Sequence, residues 1–505
     1  MAIRHRHKHK TFVLTSLLTP FGNCGLLVEA TLFQKNEVKT MKANLITVLV
    51  WASFMCLCFS AHADANIATL VSFTGTNGPN LGANPYAEVV QGSDGNFYGT
   101  TAAGGSNNLG TVFCMKPNGV LTSLVSFSGT NGLYLGSNPY GGLVQAGSAF
   151  YGATRNGGSN NLGTAFRITT NGVLTTLATF NGTNGSAPLT GLLLASDGYL
   201  YGVTFSGGVS NKGTIFQMTT NGALNVLVSF PGGTNGNAPE AGLAQGMDGN
   251  LYGTTFVGGN LFQAKTNGAI TNLLVFTGTS GSFLGRSPHG KLVQDAYGNL
   301  FGTTYQGGTF DTPIGWGTVF MLTTNGAFNV LHNFDSTNGA NLNAGVILGK
   351  DGNLYGTTVV GGGPPPLGTV FQLTTNGIFT PLFSFDYNAN NSTFPHGASP
   401  YGGLVQGTDG NYYGTAEVGG AAGYGTIFRI SLQPVFQSVI RINGLFKLNW
   451  SSISNKTYQL SYKTNLTVAN WQNLGSLIVA TNGTMSTSDN SGTDSQRFYR
   501  LQLLP

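Results

Sequence analysis

Charge is what this 505-residue chain has least of: Asp, Glu, Lys and Arg together make up 8% of it. With 41% apolar residues beside so little charge, it is neither a disordered tail nor an assembly of salt-laced amphipathic helices. Seven of the 22 basic residues and three of the 17 acidic ones precede residue 65, which leaves 15 against 14 in the remainder. A nearly neutral body with no basic stripe interleaved with aromatics lacks the field that nucleic-acid binding requires. Cysteine is scarce too. Cys24, Cys56 and Cys58 all precede residue 65, so Cys114 stands alone in the remainder and no intramolecular disulfide is possible there. A lone thiol with no neighbouring His motif reads as inert, so strand pairing and packing must supply the stability.

The segment from Met41 to Ala65 places Lys42 before an apolar run and ends in small-residue sites, Ala61-His62-Ala63 and Ala63-Asp64-Ala65. It reads as a secretory signal peptide at 41–65, because the run is short for a membrane span and no basic stop-transfer flank follows. Residues 1–40 then form an extension that contributes nothing to the fold. The expected destination is secreted, extracellular or envelope-associated, with no membrane span after signal removal.

Glycine is what the chain has most conspicuously: 77 residues. It recurs in a pattern best seen in YGGLVQGTDGNYYGTAEVGG (401–420) followed by GTIFRI (425–430). The Tyr-Gly or Phe-Gly step of that pattern falls at Tyr98, Tyr151, Tyr201, Tyr252, Phe301, Tyr355 and Tyr413, at spacings of 49 to 58 residues. A period of this size in a β-rich sequence marks propeller blades, since one four-stranded sheet cannot bury both faces without neighbours. Repeat six predicts four strands within 344–352, 353–359, 368–375 and 377–385, denoted a, b, c and d. Asp351-Gly352 and Asn376-Gly377 supply hairpin turns between a and b and between c and d. The array opens on a d-like strand (67–73) and closes on a c-like one (425–432), so the first strand is expected to complete the last sheet. The expectation is an all-β chain: a seven-bladed β-propeller of four-stranded blades over 66–432, closed by its N-terminal d strand, then a small β-sandwich over 433–505.

The recurring DGN-(L/Y/F)-(Y/F)-GTT, GG and GT-(V/I)-F-x-(L/I)-TTNG elements resemble the choice-of-anchor tandem repeat GloVer-containing proteins, across about 365 residues. That resemblance implies secretion and assigns no catalytic residues. The pattern is also weakly similar to the propellers of streptogramin lyases and NHL-type repeats, which supports the fold alone. The C-terminal WQNLG and SQRFYRLQLLP elements resemble a short module at the C-termini of secreted proteins, and six basic residues against Asp489 and Asp494 give it a net charge of +4, read as a solvated surface.

Two constellations could carry function. The d-to-a and b-to-c connections share one face, and the longest, 305–317 and 386–400, belong to blades five to seven. Their candidate ligand-binding residues are Tyr305, Phe310, Asp311, Trp316, Phe394 and His396. Trp316 either stacks on a sugar or covers its own loop, the second being the favoured reading. The residues just before strand a, Tyr86, Tyr140, Leu189, Glu240, His289, Asn343 and Tyr401, should ring the channel mouth. Glu240 and His289 fall in adjacent blades and form an acid-base pair, a cation site or one part of a polar, water-filled mouth, the last being favoured. The Asp-Gly turns sit one per blade, too separated for paired-carboxylate glycoside hydrolysis or a calcium loop. No cofactor and no metal site is expected. The sequence thus supports a monomeric, non-catalytic binding platform for an extracellular polysaccharide or protein; the alternatives are a metal-dependent lyase or hydrolase using Glu240 and His289, and a purely structural surface protein.

Overall fold

The Tyr-Gly step that marks each repeat has a steric origin. In the computed structural model each of its glycines, Gly99, Gly152, Gly202, Gly253, Gly302, Gly356 and Gly414, lies on strand b directly opposite a strand-c phenylalanine. A methyl group on any of them would stand 2.4–2.7 Å from the tip of that ring. The seven rings, Phe113, Phe166, Phe216, Phe262, Phe320, Phe371 and Phe428, are fully buried. The repeat needs glycine here for room, because the aromatic ring occupies the place of the missing side chain.

The structure describes residues 65–309, 314–389, 393–432, 434, 436–442, 445–452, 457–465, 470–481, 484–490 and 497–504. Residues 1–64, with the expected extension and nearly all of the expected signal peptide, lie outside the described residues, as do Phe310 and Asp311. Among the described residues there is no α-helix, only the short 3-10 turn Gly233–Asn235. The repeats form four-stranded antiparallel sheets. In repeat six the strands are Ile347–Leu348, Leu354–Thr358, Thr369–Leu373 and Phe379–Ser384, shorter than the predicted spans. The turn glycines Gly352 and Gly377 hold φ of 80° and 93°, as hairpin turns of this kind require. Strand d carries a register shift opposite strand c in each sheet, a bulge that strengthens the twist.

Strand c is buried on both faces, since Thr369, Val370, Phe371 and Leu373 are all inaccessible. Its alternation therefore separates two neighbouring interfaces rather than core from solvent. Each apolar cluster joins one sheet to the next: Tyr98 and Val112 meet Phe150 and Phe166, and Tyr355 and Val370 meet Tyr412 and Phe428. The order is cyclic, because Val71, Tyr413 and Ile427 pack on Val89, Phe97 and Phe113 of the first repeat. The first strand, Ala65–Ser72, pairs antiparallel with Thr426–Leu432 and carries the same register shift as every other d strand. This is a β-propeller arrangement built from tandem repeats.

Polar bonds repeat with the packing. The Asp of the a-b turn accepts a hydrogen bond from the repeat's tyrosine hydroxyl at 2.6–2.8 Å in Asp94–Tyr98, Asp197–Tyr201, Asp248–Tyr252, Asp351–Tyr355 and Asp409–Tyr413. A strand-a glutamine accepts the turn N–H of the preceding repeat, and between the first and last repeats Gln91 accepts that of Thr408 at 2.8 Å. Thr415 closes the same seam by donating to the Ala87 carbonyl at 2.9 Å.

Beyond residue 432 lie two smaller antiparallel sheets. One holds Phe436–Ile442, Leu445–Ser451 and Thr484–Asp489; the other centres on Thr457–Lys463, with Phe498–Leu503 along one edge. Leu448, Trp450 and Leu460 form their shared core. Arg497 pairs with the buried Asp489 at 2.6 Å, and Tyr499 donates to the same carboxylate at 2.7 Å.

Two measurements test this construction. Gly356→Ala is expected to lower stability by about 1–3 kcal/mol through overpacking against Phe371, while Gly242→Ala, where a methyl would meet only the Lys291 side chain at 3.8 Å, leaves it unchanged in a denaturant titration. Burial, then the hydrogen bond to Asp197 or Asp409, pushes the Tyr201 and Tyr413 phenols up to about 12. Their stabilisation is complete below the ordinary phenol value of 10 and is lost as pH rises from there to about 12. Alkaline unfolding followed by phenolate absorbance should therefore fall in that window.

Candidate functional site

The variable residues of each repeat are set in place by one backbone device. Two residues before each of Tyr86, Tyr140, Leu189, Glu240, His289, Asn343 and Tyr401, the chain enters the left-handed region: Asn84, Asn138, Ala187, Ala238, Ser287, Asn341 and Ser399 have φ of 52–58°. Proline follows in six of the seven and fixes the next φ. The carbonyl of each left-handed residue accepts the N–H of the residue just after strand b, namely Ala102, Arg155, Phe205, Phe256, Tyr305, Val359 and Glu417, at 3.0–3.1 Å. Such backbone is strained for Ala or Ser and persists only because this bond and its neighbours hold it. Each repeat therefore presents two variable side chains in a fixed relation: one before strand a and one after strand b.

The first set lines a cavity of about 450 Å³ walled by the start of strand a in all seven repeats. Its rim is aromatic on one side. The Tyr86 and Tyr140 rings stack with centroids 4.8 Å apart, Tyr401 meets Tyr86 edge-on at 5.3 Å, and the Arg155 guanidinium lies 5.3 Å from the Tyr140 centroid. Tyr86 donates to Glu417 at 2.7 Å. Burial first, and then that carboxylate, hold the Tyr86 phenol well above its ordinary range. Tyr401 is raised by burial and by the nearby Glu417 charge.

The other side is an acid-base cluster. His289 Nδ1 lies 3.0 Å from Glu240 Oε2, and both side chains are partly exposed. Phe256 and Tyr305 flank the imidazole with centroids at 4.9 and 5.2 Å. Asn343 Nδ2 donates to the Tyr401 carbonyl at 3.3 Å. Among the described residues no three His, Cys, Asp or Glu side chains converge as a metal-binding group. The mouth offers flat apolar faces, carboxylate acceptors and one imidazole around one cavity, which suits recognition of a polyhydroxylated or polar ligand.

A profile of the Gloeobacter/Verrucomicrobia repeat matches residues 57–196, 133–312 and 258–496. The chain belongs to the Gloeobacter/Verrucomicrobia repeat family. No curated protein sequence matches it. Among solved structures it is similar to a streptogramin B lyase, at 13% identity and a TM-score of 0.49 over 73% of this chain and 98% of that one. It is also similar to virginiamycin B lyase from Staphylococcus aureus, at 15% identity and a TM-score of 0.49 over 73% of this chain and 99% of that one. No site residue transfers at this level of likeness.

Within this repeat, the long-loop residues occupy framework positions. The Trp316 carbonyl accepts the Asn341 N–H, as those of Leu109, Leu162, Lys212, Leu367 and Tyr424 do for their own neighbours. Its half-buried indole packs on the cluster of Phe334, Leu342 and Phe371. Phe394 meets the Tyr387 ring at 5.3 Å, and His396 Nδ1 lies 2.8 Å from Asp386. Tyr305 alone of the described long-loop candidates joins the mouth, through His289. The residues that sequence reasoning missed are Arg155, Phe256 and Glu417. Their signal is internal: one position, just before x-Gly-Gly, changes character from repeat to repeat while its surroundings stay constant.

Glu417→Gln removes the charge that opposes Tyr86 ionisation. The Tyr86 phenol is then expected to titrate nearer its ordinary value, read by ring-carbon NMR with Tyr86→Phe assigning the signal; an unchanged titration would show burial acting alone.

Proposed function

We propose that the chain is an exported, non-catalytic binding protein whose ligand seats on the channel mouth. In this reading the repeat sheets are the seven blades of one propeller over 66–432, closed by its N-terminal strand, and the C-terminal sheets form a small β-sandwich. Support for the ring comes from the cyclic packing and from the Gln91–Thr408 and Thr415–Ala87 bonds across the seam. Support for export comes from the 41–65 segment and its cleavage-like end. The observation that carries binding is the variable side chain that an otherwise constant frame delivers to one cavity in every repeat, with Arg155, Phe256, Tyr305 and Glu417 from the second set touching the residues that line it. Aromatic faces beside carboxylates and an imidazole favour an extracellular polysaccharide as the ligand, because sugars present apolar C–H faces and a rim of hydroxyls.

A second reading keeps one specific observation. The 3.0 Å contact between His289 and Glu240 would let the carboxylate orient the imidazole as a general base at the mouth, the core of a hydrolase or lyase.

Retention of the full chain on a panel of soluble and insoluble polysaccharides separates these readings. Tyr140→Ala is expected to weaken binding at least tenfold, ~1.4 kcal/mol, while Trp316→Ala, a packing residue, leaves affinity unchanged once folding is verified. Turnover of a retained polysaccharide that His289→Ala abolishes would replace the binding role with the enzymatic one. No retention on any member of the panel would refute the polysaccharide reading.

A further inference from the structure

Repeat four lacks a piece of its b-to-c connection. From the second glycine of the Gly-Gly step to the first apolar strand-c residue, repeat one runs from Gly105 to Val112, whereas repeat four runs only from Gly259 to Leu261. The missing stretch does three things elsewhere. Its asparagine caps the Gly-Gly turn, as Asn108 does for the Gly104 N–H at 2.9 Å. Its Leu or Trp covers the phenylalanine that ends strand d, as Leu109 does in the cluster of Phe127, Leu162 in that of Phe180 and Trp316 in that of Phe334. Its carbonyl accepts the N–H of the left-handed residue.

All three are gone in repeat four. Phe276 is 8% exposed where Phe127, Phe180 and Phe230 are fully buried. The Ser287 N–H has no protein acceptor among the described residues, unlike those of its six counterparts. What remains is a groove of about 570 Å³ with Phe256 and Phe276 as apolar surfaces, Ile314 on the far side, and Arg286 and Ser287 on the wall. Arg286 is exposed and paired with no carboxylate among the described residues; its counterparts are Ala83, Ser137, Ser186, Asn237, Ala340 and Ala398. The groove adjoins the mouth, since Phe256 touches His289 and the chain runs from Arg286 to His289 in four residues.

We propose that this groove is a subsite for the carboxylate-bearing sugar of a uronate-containing polysaccharide whose neighbouring units occupy the channel mouth; the proposal rests on the polysaccharide-binding reading above. The guanidinium offers two parallel donors to a carboxylate and the Ser287 N–H a third, while the half-buried Phe256 and the accessible edge of Phe276 give the apolar side of the ring a surface to lie against. A neutral sugar gains no ion pair with that exposed guanidinium, whereas a uronate does, so selection falls on the acidic chain.

Calorimetric titration of the full chain with oligosaccharides of galacturonate, glucuronate and guluronate, each beside its carboxyl-reduced form, tests this. At least one acidic form is expected to bind about tenfold more tightly than its reduced counterpart, a difference of ~1.4 kcal/mol. Arg286→Gln should erase that preference without weakening the reduced form. Replacing Asn260 with the repeat-one segment Ser-Asn-Asn-Leu-Gly-Thr, which refills the groove, should erase it as well. Equal binding of every acidic and reduced pair by the wild type, or a preference that survives Arg286→Gln, overturns the subsite and leaves the mouth reading standing. Binding of none of these oligosaccharides overturns the subsite, and the mouth reading is then decided by the polysaccharide panel.

Discussion

Everything in the repeat region follows from the seating of one aromatic ring on one glycine. A phenylalanine on strand c can lie flat across strand b only where the opposing residue has no side chain, and the fully buried Phe371 over Gly356 shows how completely that space is used. With the ring folded inward, both faces of the sheet become smooth enough to pack at close range, and strand c is buried on each side. A sheet so covered has to have two neighbours. The repeat sheets satisfy the requirement by packing each on the next, with the last against the first, so a local steric match becomes a constraint on the whole repeat array.

The framework and the mouth divide the sequence between them. Glycine pairs and the left-handed residue hold the backbone in every repeat, joined in five of the seven by the bond between turn aspartate and tyrosine hydroxyl. Two positions per repeat escape that duty: the one before strand a and the one after strand b. They carry Tyr, Leu, Glu, His and Asn in the first case and Ala, Arg, Phe, Tyr, Val and Glu in the second. Because a backbone hydrogen bond couples the two in every repeat, exchanging a side chain alters the chemistry of the mouth with little disturbance to its geometry. The same logic explains why shortening one connection exposes Phe276 yet leaves the sheet of repeat four intact.

Much of this was legible in the sequence because the pattern repeats. The Tyr-Gly spacing, the Asp-Gly and Asn-Gly turns and the d-like first strand identify the sheets and the pairing of Ala65–Ser72 with Thr426–Leu432. Topology alone placed the residues before strand a around a common opening, and in the structure they line one cavity. Loop length was a poorer guide. It drew attention to Trp316, Phe394 and His396, but an indole in the place of a leucine serves packing, and a histidine beside Asp386 serves its own link. The outer positions escaped notice because Arg155, Phe256 and Glu417 share no residue type, and their common role is fixed by a main-chain bond with no trace in side-chain chemistry. The groove of repeat four was visible as a deletion, though what it uncovers depends on contacts between distant strands.

The pairing of the first strand with the last has a consequence for how the molecule comes into being. Ile67 lies opposite Ile430, so the sheet they share cannot form until the whole repeat array has been delivered. Joining such distant segments carries an entropy cost that rises only slowly with loop length, but it defers a long-range step to the end of folding. A chain emerging N-terminus first therefore holds its leading strand in waiting, edge exposed, while the intervening sheets assemble behind it. The seam is the last pairing of the repeat array to close and the natural place for it to open.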